Sequence, residues 1–156
     1  MNGKTHVEVD QSGKIGDTKV PTVLAFSNLE NFSILVSATE KRKCILILRR
    51  KGKLSKRFYL KLFAACLFLL LERDIKSFNR VIVDIEYTGH NDKVKGYLLN
   101  LFSKKKVELE SDIIQFGLIH RGKRKPKAHD KAYFTFKGDV KPDKVIKAEQ
   151  LLKLLE

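Results

Sequence analysis

"RVIVDIEY", residues 80–87, decides how this chain folds. It reads as a strand with both faces mostly covered, which is the pattern of a central strand in a parallel or mixed sheet. Two carboxylates, Asp84 and Glu86, interrupt it where it gives way to the turn "TGHN" (88–91). Residues two apart on a strand point the same way, so these acids share a face. Burying a lone carboxylate is costly, and an acid in a core strand needs a partner or a cation.

Upstream, "THVEVDQSGKIGDTKVPTVLAFSN" (5–28) reads as a hairpin. Residues 5–10 alternate, with Val7 and Val9 on one face and His6, Glu8 and Asp10 on the other. "QSGKIGDTK" is turn material, "PTVLAFS" a second strand and "FSILVSA" a third, giving an antiparallel meander. In "SATEKRKCILILRRKGK" (37–53), Ser37 and Glu40 have capping-box spacing and Gly52 is placed to end the helix. The run "CILIL" suits a strand as well. Ser55 then caps a very apolar helix reaching about Arg73. Its uninterrupted stretch, Leu62–Leu71, falls short of the roughly 20 residues a bilayer demands, so a core helix is expected and no membrane partner.

Downstream, Asp92 is placed to cap "KVKGYLLNLFSK", whose apolar residues recur at helical spacing. "DIIQFGLIH" (112–120) reads as a strand and "RGKRKPK" (121–127) as a basic loop. "AHDKAYFTFKG" reads as a helix from about Ala128 to Gly138, although "YFTF" suits either state. The tail is a helix at about 142–156, opened near Pro142 or Asp143, that packs on the sheet or meets a partner. The order β-β-β-α-α-β-α-β-α-α predicts one α/β domain over residues 1–156, a mixed sheet with helices on both faces.

Composition limits what such a domain binds. The 156 residues carry a formal charge of +14, with 43% hydrophobic and 32% charged residues. A globular chain this basic favours polyanions, nucleic acid first, though a lysine-rich surface also serves solubility or heat tolerance. Cys44 and Cys66 sit in apolar patterns without metal-ligand spacing and read as core residues. "MNGKTHVEVD" lacks the apolar stretch of a signal peptide, and a cytoplasmic protein is expected. There is no GxxxxGK[ST] loop, no GxGxxG after a strand, no GxSxG elbow and no zinc pattern among the four histidines.

The acids supply the remaining signal. Asp10 on the first strand would approach Asp84 or Glu86 if the first and fourth strands are neighbours. Clustered carboxylates raise one another's pKa unless a divalent cation compensates, and Mg²⁺ or Mn²⁺ suits hard oxygen donors. Asp130 opens the helix after the last strand, preceded by His129 and by Arg121, Lys123, Arg124, Lys125 and Lys127, a phosphate-binding lip. Each acid also has an ordinary reading: Asp84 solvated at a strand end, Glu86 paired with a cation, Asp130 a first-turn acid favoured by the helix dipole.

This order and placement resemble the ribonuclease H-like superfamily, which includes ribonuclease H and Holliday-junction resolvases. "VDQSGK" resembles its first motif through Asp10, "VDIEY" its second through Glu86 or Asp84, and "AHDKAY" its third through Asp130. The resemblance covers about residues 5–138. It departs from the family in placing two helices between the third and fourth strands. It implies a nuclease in which Asp10, Glu86 and Asp130, with Asp84, hold two divalent ions about 4 Å apart. His129 or His120 would carry a proton, the basic loop would hold the phosphate backbone, and cleavage of paired strands would favour a homodimer. The competing expectations are a DNA- or RNA-binding protein on the same fold without chemistry, and a scaffold that uses its last helix on a protein.

Overall fold

The computed structural model describes residues 6–27, 31–85, 87–118 and 127–155, with side chains from Asp130 onward in the helix that opens at 127. The described strands are β1 (His6–Ser12), β2 (Thr22–Ser27), β3 (Asn31–Val36), β4 (Arg80–Asp84), β5 (Ile114–Gly117) and β6 (Lys144–Ile146). The helices are α1 (Ala38–Arg50), α2 (Phe58–Leu71), α3 (Asn91–Lys104), α4 (Lys127–Lys137) and α5 (Ala148–Leu155). The strands form one mixed sheet in the order β5-β4-β1-β2-β3-β6. β1, β2 and β3 pair antiparallel, as the meander requires, while β4 lies parallel to β1, β5 to β4 and β6 to β3.

Helices cover both faces. Val7, Val9, Leu24, Phe26, Ile34, Val81 and Val83 face a large core shared with α2, α3 and α5. Val23 and Ala25 point the other way, onto Ala132 and Phe136 of α4. β2 is therefore buried along its whole length, and its near-continuous apolar sequence follows from that. α2 is buried on nearly all sides because it lies between the sheet and the helices α3 and α5. No described helix is long and apolar enough to cross a membrane.

Local chemistry departs from expectation at five places. Ser37 caps α1 as its spacing predicts, its Oγ accepting from Glu40 N at 3.1 Å, but Glu40 does not reach back to complete the box. Its Oε1 accepts instead from Ala148 N at 2.8 Å, so the carboxylate closes the start of α5, a distant helix. Ser55 and Asp92 make no side-chain caps: α2 starts after Arg57 and α3 after His90, with Asp92 left as a first-turn acid. β4 stops at Asp84 and β5 is confined to Ile114–Gly117, both shorter than their apolar runs. The "YFTF" run is helical, because Ala132, Thr135 and Phe136 turn inward at helical spacing.

The tail departs most. It is a short strand followed by an eight-residue helix, where one helix at 142–156 was expected. Asp143, read as a helix opener, pins β6 to β3: its Oδ2 accepts from Ser33 N at 2.8 Å and its own N–H donates to Ser33 Oγ at 3.2 Å. The same carboxylate meets Lys131 Nζ of α4 at 3.3 Å. The apolar side of α5, Ala148, Leu151 and Leu152, is buried against α1 and α2, which removes it as a free partner helix.

Candidate active site

β1 and β4 lie side by side and run parallel, in the register Val7↔Val81, Glu8↔Ile82 and Val9↔Val83. Asp10 and Asp84 directly follow the last pair of that register, Val9↔Val83. Asp10 is also the partner of Ala25, which packs beneath Ala132 of α4. Both acids therefore project on the face that α4 covers. They are 2% and 5% exposed, so two carboxylates are buried as neighbours at the carboxyl ends of adjacent strands. Asp10 Oδ1 accepts from Gln11 N at 2.8 Å. Asp84 pairs with Gly117 of β5, where an added Cβ would meet, among the described residues, Ile82 at 3.6 Å.

Chain topology makes this strand end special. After β1 the chain turns toward β2, and after β4 it crosses through α3 to β5 on the other side. Connections that diverge from two adjacent parallel strands leave a crevice at their carboxyl ends, the usual ligand position in open α/β sheets.

A cleft of about 380 Å³ opens at that end, lined by Lys14, Gly16, Asp17, Tyr59 and Tyr87. Tyr87 anchors it. Its hydroxyl accepts from Ile15 N at 3.2 Å and meets the Gln11 side chain at 3.5 Å. Its ring lies 5.0 Å from Phe63 and 5.7 Å from Tyr59, centroid to centroid. Lys41 of α1 fixes the outer wall from below. This fully buried ammonium donates to Lys14 O at 3.2 Å, Asp17 O at 2.6 Å and Thr22 Oγ1 at 2.9 Å. Three donors meet three acceptors, which is the full capacity of a protonated lysine. Burial lowers its pKa from 10.5 to about 8, against the opposing pull of Asp17. Burial also pushes the Cys44 thiol up to about 11 and Cys66 up to about 12, so both stay protonated and unreactive, as core residues.

The sequence candidates fall into three groups. Asp10 and Asp84 are brought together. Asp130 stands exposed in the first turn of α4, the helix over the same sheet face. Glu86, Arg121, Lys123, Arg124 and Lys125 lie outside the described residues, as do the side chains of Lys127 and His129. Among the described residues, no group of three or more His, Cys, Asp or Glu side chains is gathered to hold a metal ion. The sequence reading missed Lys41 and the tyrosine cleft. Lys41 had a signal: it sits on the buried stripe of α1 with Cys44 and Leu48, where a charge is out of place.

No protein-family model, curated protein or solved structure matches the chain.

Proposed function

We propose that this protein is a divalent-metal-dependent nuclease of ribonuclease H-like design, cleaving phosphodiester bonds at the β1/β4 strand end. The carrying observation is the burial of Asp10 and Asp84, which directly follow the last β1–β4 pair, at the topological crevice. The hard oxygens of two carboxylates at one strand end fit Mg²⁺ or Mn²⁺. The element order supports the resemblance from β1 to α4: an antiparallel meander, a helical section, then β-α-β-α. The charge of +14 supports a polyanionic substrate.

In this reading Asp10 and Asp84, with Glu86, would hold the ion. Bound there, it would activate a water and offset charge on the phosphate. The chain's own basic residues, Arg121, Lys123, Arg124, Lys125 and Lys127, hold the phosphate backbone, and His129 carries a proton.

The test is Asp10→Asn assayed on labelled single- and double-stranded DNA and RNA with Mn²⁺. Cleavage should vanish while binding is retained; unchanged cleavage removes the assignment. The exposed setting of Asp130, ordinary for a first-turn acid, favours the alternative of a non-catalytic nucleic-acid-binding protein. That alternative predicts no rise in melting temperature with Mn²⁺, whereas a metal site is stabilised by its ligand.

A further inference from the structure

We infer that the cleft between the 13–21 loop, Tyr59 and Tyr87 is a base-stacking subsite. It takes one unpaired nucleobase of a single-stranded polynucleotide whose phosphates pass over Lys14. The inference rests on the nucleic-acid reading above and deepens it by naming where a base is held.

Three features carry it. The first is shape and wall chemistry: the cleft holds about 380 Å³ and is lined by two tyrosine rings inclined at 57°. A nucleobase is flat, π-faced and polar at its rim, and every base stacks on aromatic side chains, so such a wall is sequence-tolerant. The second is pre-organisation. Lys14 O and Asp17 O are held by the buried Lys41 ammonium, and the N–H between them, on Ile15, is held by the Tyr87 hydroxyl. The lip is set before a ligand arrives, so binding does not bear the cost of ordering it. A buried lysine spent on two loop carbonyls is hard to explain by stability alone, because its desolvation works against folding.

The third feature is position. Lys14 is exposed on the lip, while the Asp17 carboxylate is turned into its own loop, its Oδ1 accepting from Lys19 N at 3.0 Å. Gln11, which reaches Tyr87, directly follows Asp10 and so points to the opposite face of β1. The cleft and the acid pair thus flank the same strand end. A strand crossing the carboxyl ends of β1 and β4 reaches both.

The chain has no tryptophan, so its emission comes from Tyr59, Tyr87, Tyr97 and Tyr133, and the part lost in Tyr59→Leu belongs to the cleft. The experiment titrates the protein with an oligothymidylate in EDTA, where hydrolysis does not intervene. Wild type should show saturable quenching. Gly16 lines the cleft and an added Cβ there meets no described residue within 4 Å, so Gly16→Leu fills the space without disturbing the core. It should weaken binding about tenfold, the loss of one base–ring stack, at an unchanged melting temperature. Tyr59→Leu should weaken it similarly.

Wild-type affinity and quenching in Gly16→Leu overturn the subsite. If that occurs while Asp10→Asn still abolishes Mn²⁺-dependent cleavage, the subsite falls and the nuclease stands. Weakened binding in Gly16→Leu with undiminished cleavage by Asp10→Asn gives the reverse. Absence of any binding by the wild-type protein removes the subsite, and the Mn²⁺ cleavage assay then decides the nuclease separately.

Discussion

Lys41 provides the sharpest test of the described interior. Its ammonium is fully buried and its pKa is lowered from 10.5 to about 8 by desolvation. In the unfolded chain the same group titrates near 10.5. Below pH ~8 both states are protonated and the burial penalty is fully present. Between pH ~8 and ~10.5 the native protein has released the proton while the unfolded chain retains it, so native stability rises with pH. At ~1.4 kcal/mol for each tenfold, the difference amounts to about 3 kcal/mol. Lys41→Met keeps the methylene volume and lacks the titrating group. Every other lysine titrates in both proteins, so the difference between their stabilities isolates this one. Urea unfolding of wild type and Lys41→Met, followed by far-UV circular dichroism at pH ~7, ~9 and ~10.5, gives that difference. Wild type should gain about 3 kcal/mol relative to the variant across the series. A difference that is flat, or that moves the other way, would refute the buried placement of the ammonium and the clamped lip with it.

Other expectations follow from single contacts. Gly13→Ala should destabilise by at least ~2 kcal/mol in thermal melts, because φ is +83° and the new Cβ would fall 2.0 Å from Pro21 O and 2.7 Å from Phe136. Glu40→Ala should cost about 1 kcal/mol and raise amide exchange in α5, since Ala148 N loses its only described cap. Cys44 and Cys66 should resist a thiol reagent in the native protein at pH ~8 and react at once in denaturant. Asp10→Asn should lose Mn²⁺-dependent cleavage and any Mn²⁺-dependent rise in melting temperature together.

Much of the fold was readable because the hydrophobic periods are strong. The meander, the buried "RVIVD" strand and the apolar α2 each follow from which side chains must leave water. β6 was unreadable for the opposite reason. Three residues, "KVI", carry too little alternation to declare a strand, and an apolar helix follows them. What makes them one is a long-range hydrogen bond to Ser33, made by Asp143, invisible to any local pattern. Glu40 teaches the same lesson, since correct capping-box spacing says nothing about a competing N–H 108 residues away. At the site, Asp10 and Asp84 were findable because acids in apolar strands are conspicuous. The cleft was not, because Lys14, Tyr59 and Tyr87 meet only through the parallel pairing of β1 with β4.

The arrangement of strand lengths has its own consequence. The long strands β1, β2 and β3 occupy the interior of the sheet, while its flanks are β5, with four residues, and β6, with three. A neighbouring molecule seeking to extend the ladder would find only a few rungs on either side, too few to repay docking. Lysines add repulsion there, as Lys144 opens β6 and Lys147 follows it. The protein can therefore be concentrated in solution without its sheets fusing into fibres.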